Sequence, residues 1–201
     1  MPPKLRGKWA LGITPRNFTW VIKDKMAICE RPGGYGENHR RVRRQEEIIW
    51  LRENGFGCVI SIIPAPHNLH NYDELGMPYL HRPFTGVDDV PGWLRSFYTE
   101  LQTMLDAGTK VVVHNESVDD RLVGILGGYI RWSRMVDDAN QCIMVTERIA
   151  KRQLDPFARE LILQARGEDR RGFHQASGAG GAGTSIGGRG SGSTVCSVTI
   201  R

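Results

Sequence analysis

The residues of this chain best placed to do chemistry lie in Val111-Val112-Val113-His114-Asn115-Glu116-Ser117-Val118-Asp119-Asp120-Arg121. Three consecutive valines read as a central, buried strand. Residues 115–121 read as a turn, with Arg121 opening an apolar helix. A helix start gathers unpaired backbone N–H groups and a partial positive charge, so it suits an anion. A guanidinium beside it adds a bidentate grip. Arg121 is left with two readings, an anion-binding residue or a salt-bridge partner within the loop. Glu116, Asp119 and Asp120 oppose the first. One carboxylate about 7 Å from a phosphate dianion repels it by about 5 kcal/mol at an effective dielectric near 20. The sequence thus predicts that Arg121 pairs with Glu116, Asp119 or Asp120 and holds the loop shut. Ser117 is a nucleophile only if a base adjoins it. The one base nearby in sequence, His114, is expected to point inward as a core histidine. The three acids also raise a divalent cation, but one short loop rarely supplies a full ligand set. No metal and no cofactor are expected.

These residues need a scaffold, and the rest of the chain predicts one. Residues 18–22 and 26–29 look like short paired strands. Arg40 to Asn54 reads as a helix, with Val42 and Ile49 facing inward and Gly55 ending it. Phe56 to Ile63 is a buried strand by its Val and Ile content, stopped by Pro64 and Pro66. His67 to Leu75 is a short helix and Met77 to Phe84 a further strand. Trp93 to Asp106 is helical, with Leu94, Phe97, Tyr98, Leu101, Met104 and Leu105 recurring on one face. Arg121 to Trp132 is apolar on nearly every side, and its Gly124, Gly127 and Gly128 predict close packing. Helices near Asn140 to Arg152 and Pro156 to Arg166 follow. Such alternation predicts an α/β fold with a central, largely parallel sheet flanked by helices.

Size and charge set outer limits. The 201 residues suffice for one cored domain, expected over residues 17–166, with an irregular arm over 1–16. Residues 167–201 are glycine-rich, as in Gly178-Ala179-Gly180-Gly181, and are expected to be a disordered tail. No run is apolar enough to span a membrane, and the N-terminus lacks the apolar segment of a signal peptide, so a cytoplasmic location is expected. The net charge of +5 permits acidic partners without demanding them. Much of the excess sits in Arg40, Arg41, Arg43 and Arg44, either a solvated helix face or a partner-binding patch. The cysteines form no Cys-x-x-Cys pair, which argues against a zinc site.

The loop resembles the signature of the cysteine-dependent tyrosine and dual-specificity phosphatases, His-Cys-x-x-x-x-x-Arg. Further segments resemble small atypical members of that family: Asn17-Phe18-Thr19-Trp20-Val21-Ile22 with Met26-Ala27, Gly57-Cys58-Val59-Ile60-Ser61-Ile62, and Tyr79-Leu80-His81-Arg82-Pro83-Phe84. The resemblance implies a phosphatase-like fold. It also implies that a cysteine thiolate attacks phosphorus, a loop arginine grips the phosphate, and an aspartic acid on the preceding loop protonates the leaving oxygen. Carried onto this chain, His114 and Arg121 match, and Asp88 or its rival Asp89 stands for the acid. Asn115 replaces the nucleophile and cannot form a phosphoenzyme by the thiolate route. Val118 stands where the family has glycine, and a β-branched residue tolerates positive φ poorly. Leu122 replaces the hydroxyl residue after the arginine.

The expectation is thus a pseudophosphatase, a catalytically inactive domain that binds or regulates another protein, one that is phosphorylated in the version Arg121 would suit. The altered loop, the Asp88 loop and Arg40 to Arg44 are its candidate surfaces. Two alternatives differ in class. One is a phosphate-ester hydrolase in which Asp88 or Asp119 activates water. The other is a nucleic-acid-associated module using Arg40 to Arg44, the less favoured partner given the few arginines in the tail.

Overall fold

A computed structural model describes residues 11–34, 40–66 and 68–165. The expected N-terminal arm is irregular over 11–16; residues 1–10 and the glycine-rich segment from 166 onward lie outside the described residues. Five strands and six helices follow in chain order: β1 (Thr19–Ile22), β2 (Met26–Glu30), α1 (Arg41–Glu53), β3 (Cys58–Ser61), α2 (His70–Glu74), β4 (Tyr79–His81), α3 (Val90–Asp106), β5 (Val111–Asn115), α4 (Asp120–Trp132), α5 (Ala139–Ala150) and α6 (Pro156–Gln164). The strands form one sheet in the order β1-β2-β5-β3-β4. All neighbours are parallel except β1 and β2, which form an antiparallel edge pair. The predicted α/β architecture is the observed one.

β5 lies at the centre because its side chains are apolar on both faces: Val111 and Val113 join one core layer, Val112 the other. The larger layer packs the sheet on α3, α4, α5 and α6; the smaller sets Ile48 and Leu51 of α1 and Tyr72 of α2 against Ala27, Val59 and Val112. α4 is buried without a break from Leu122 to Ile130. Its glycines allow that: a Cβ on Gly124 would lie 2.7 Å from the Cα of Ala158, and one on Gly127 would lie 2.6 Å from Oγ1 of Thr146. A side chain at either point would force α4 away from α6 or α5.

One predicted orientation is wrong. Val42 is 67% exposed, while Arg44, Glu47, Ile48 and Leu51 face inward. The inward stripe of α1 follows helical spacing from Arg44, so Val42, two residues earlier, falls on the opposite side. Its first two positions are charged, and a search for apolar periodicity passes over them. The single-sided arginine face is corrected as well: Arg40 and Arg41 are exposed, Arg43 is half-buried, and Arg44 is buried.

Candidate functional site

β5 delivers His114 and Asn115 to the C-terminal end of the central strand, where parallel sheets usually carry their sites. His114 is buried, with Nε2 3.0 Å from the Tyr72 hydroxyl. Burial, reinforced by nearby Arg31, pushes its pKa down to about 3. It is a neutral core histidine, as expected.

Asn115 is 8% exposed, and its Nδ2 donates to Oδ2 of Asp119 at 3.1 Å. The other oxygen of Asp119 accepts from the backbone N–H of Leu122 at 2.9 Å, so Asp119 caps α4. A fixed carboxylate therefore bridges position 115 and the helix start. Val118 has no positive φ, so the loop accommodates it without the strain its residue type suggested. Leu122 is fully buried in the core.

The expected ion pair of Arg121 with a loop acid is absent. Its guanidinium instead lies 5.8 Å from the centroid of the Phe157 ring, at the start of α6. The acids are held by arginines from elsewhere. Glu116 pairs with Arg31 at 3.0 Å. Asp120 accepts from Nε of Arg152 at 2.7 Å through one oxygen and from the backbone N–H of Asp155 at 3.1 Å through the other. Arg152 also donates to the carbonyl of Val118 at 3.0 Å. Two of the three carboxylates thus have cationic partners, which weakens the repulsion argued from the sequence. The three acids do not converge either: no cluster of three metal-ligating side chains occurs among the described residues.

Ser117 is half-buried and makes no side-chain hydrogen bond among the described residues; with His114 turned toward Tyr72, no base adjoins it. On the preceding loop, Asp89 caps α3 by accepting from the N–H of Gly92 at 2.9 Å. Asp88 is exposed and accepts from the Thr85 hydroxyl at 3.3 Å. Neither bonds to the loop over 115–121. Gly86 of that loop does approach Phe157, the ring beside Arg121.

The basic patch divides in two. Arg43 pairs at 2.7 Å with the buried carboxylate of Glu47, which also accepts from the N–H of Gly33. Buried Arg44 donates to Asn71 at 3.3 Å, and its Nε and Nη2 have no partner among the described residues. Burial first, then Arg31, lowers its pKa. Arg44 cannot reach a partner's surface and leaves the set of binding candidates.

Sequence reasoning missed Arg31, Tyr72, Arg152 and Phe157. A signal existed only for Arg31. β2 and β5 pair in parallel with Glu30 beside Asn115, so Arg31 and Glu116 leave the sheet side by side.

Comparison of the whole fold with solved structures settles its class. The kinase-associated phosphatase, with its catalytic-site cysteine substituted by serine, superposes with a TM-score of 0.61 at 17% identity, over 74% of this chain and 93% of that one. This chain has the fold of the cysteine-dependent tyrosine and dual-specificity phosphatases. The catalytic core of the PP-IP phosphatase SIW14 from S. cerevisiae, in complex with citrate, matches with a TM-score of 0.54 at 18% identity, covering 76% and 87% of the two chains. Human DUSP28 matches with a TM-score of 0.54 at 12% identity, covering 77% and 96%. No protein-family model matches the sequence, and no curated protein does. The strand, loop and helix over 111–132 thus occupy a phosphatase-like framework, with an amide at the position the resemblance assigns to the thiol.

Proposed function

We propose that this chain is a phosphatase-fold protein that binds a protein partner through its loop face and does not hydrolyse phosphate esters. The observation that carries this reading is the bond between Asn115 and Asp119. The side chain at position 115 has no nucleophilic atom, and its amide is committed to a structural contact that caps α4. Ser117, the remaining hydroxyl of the loop, has no base beside it. The relative whose catalytic cysteine is replaced by serine has the same fold, so the architecture does not depend on the thiol.

Arg121 is the residue through which a partner's phosphorylated side chain would be held. It carries no ion pair among the described residues and sits beside the helix start. The test is a pair of assays on the purified full chain. Turnover of p-nitrophenyl phosphate and of a phosphotyrosine peptide is expected to equal the buffer blank, with or without added divalent cations. Binding of the same peptide, read by fluorescence anisotropy, is expected and is lost in Arg121→Ala. Turnover that disappears in Arg121→Ala would overturn the reading.

A further inference from the structure

α1 begins against electrostatic preference. The first turn of a helix gathers about half a positive charge and favours acids. Helices α3, α4, α5 and α6 follow the rule, each capped by an aspartate: Asp89, Asp119, Asp138 and Asp155. α1 has Arg40 at its N-cap, no side-chain cap and no acid in its first turn. Arg41 and Arg43 follow at once, and on the inward face of the helix buried Arg44 has Nε and Nη2 unpartnered among the described residues. Unfavourable charge gathered at one point costs stability unless a ligand offsets it.

The surface there is concave. A cleft of about 430 Å³ is lined by Ile13, Arg16, Arg40, Val42, Arg43 and Glu46. Its volume falls within the range of ligand sites. The wall opposite α1 is the segment before β1, anchored by the N–H of Ile13 on the carbonyl of Glu46 and by the carbonyl of Arg16 on the N–H of Glu30. Among the described residues, the side chains of Arg16 and Arg40 make no hydrogen bond or ion pair, and both are exposed. Arg43 is tied to Glu47. Ile13 and Val42 present aliphatic surface to water, Val42 more than Ile13. The cleft therefore offers two uncommitted cations around an aliphatic lining. Among the described residues no aromatic ring lines it for base stacking, and Glu46 would repel a phosphate backbone, so a peptide fits better than a nucleic acid.

We propose that this cleft docks an acidic peptide segment carrying an aliphatic side chain, its carboxylates on Arg16 and Arg40 and its aliphatic group against Ile13 and Val42. The proposal does not rest on the loop, since none of residues 114–121 lines the cleft.

The probe is a fluorescein-labelled eight-residue peptide of glutamates with two central leucines, titrated with the full chain. Saturable binding is expected. It weakens at least about tenfold in the Arg16→Glu/Arg40→Glu variant, and several-fold in Val42→Asp or when the leucines become serines. Arg121→Ala binds this peptide unchanged, which separates failure here from failure of the phosphate reading. All these positions but Arg121 are exposed and distant from the core, and a thermal midpoint within a few degrees of the parent confirms folding. Absence of binding, equal affinity in the charge-reversed variant, or tighter binding of a single-stranded oligonucleotide that Arg16→Glu/Arg40→Glu abolishes would each overturn the proposal.

Discussion

The starts of α4 and α1 solve one problem in opposite ways. Both expose backbone N–H groups and a partial positive charge at a helix start that follows a strand of the sheet. At α4 the chain supplies the compensating anion itself: Asp119 caps the helix, Asp120 occupies the first turn, and Asn115 leans on the cap. At α1 the chain adds arginines and no cap. The first arrangement is self-contained and the second is open to an acidic ligand. This chain has capped the helix start of α4 with its own carboxylates and left that of α1 without a side-chain cap or a first-turn acid.

The comparison is sharpened most by asking whether Asp119 keeps the loop silent. Asn115→Cys alone is expected to leave p-nitrophenyl phosphate turnover at background, because a carboxylate near the introduced thiol raises its pKa. Asn115→Cys/Asp119→Ser keeps a capping oxygen while removing the charge. It is expected to raise the thiolate fraction at neutral pH about a hundredfold over the single variant, read by the pH dependence of thiol alkylation. Equal alkylation profiles in the two variants would show that Asp119 does not control position 115.

Acid titration probes the layer beneath the same helix. The folded pKa of His114 is about 3 against 6.5 when exposed. Between those values the unfolded chain binds a proton that the folded chain refuses. This contribution to stability is complete above about pH 6.5 and is lost as pH falls, by about 1.4 kcal/mol per unit within the window. Urea denaturation at successive pH values is expected to show that slope in the parent and a shallower one in His114→Asn.

Two smaller effects address the helix starts directly. Asp119→Ala is expected to cost about 1–2 kcal/mol, by loss of the cap and of the partner of Asn115. Arg40→Asp is expected to do the reverse at α1 and stabilise by about 0.5–1 kcal/mol, since it supplies a cap and an acid where neither exists. Chemical denaturation measures both. Loss of stability in Arg40→Asp would mean that α1 is compensated from within and that the contrast between the helices is false.

The sequence made some of this legible and hid the rest for physical reasons. β5 and α4 were readable because their signals are local: a run of valines, then a helix apolar on every face with glycines at its contacts. The replacement at Asn115 was readable because one position decides it. The electrostatics of the loop were not, because Arg31 and Arg152, which hold Glu116 and Asp120, lie far away in sequence and meet the loop only through sheet pairing and the α5–α6 turn. The same ignorance assigned Arg121 to the wrong partner. The sequence showed three acids beside it, and the fold had already engaged each of them. Val42 failed in the other direction. An apolar residue in a helix was assumed to face the core, while the inward positions were filled by Arg44 and Glu47, whose burial depends on Asn71 and Gly33.

Asp120 carries a consequence of its own. One carboxylate joins the first turn of α4 to Arg152, just after α5, and to the backbone of Asp155, the residue that caps α6. Three helix termini meet at one side chain, flanked by the bonds of Arg152 to the Val118 carbonyl and of Arg159 to Glu147. Damage at that junction would slacken all three at once, so its removal should register as a loss of cooperativity, with the loop and the last helix coming undone together.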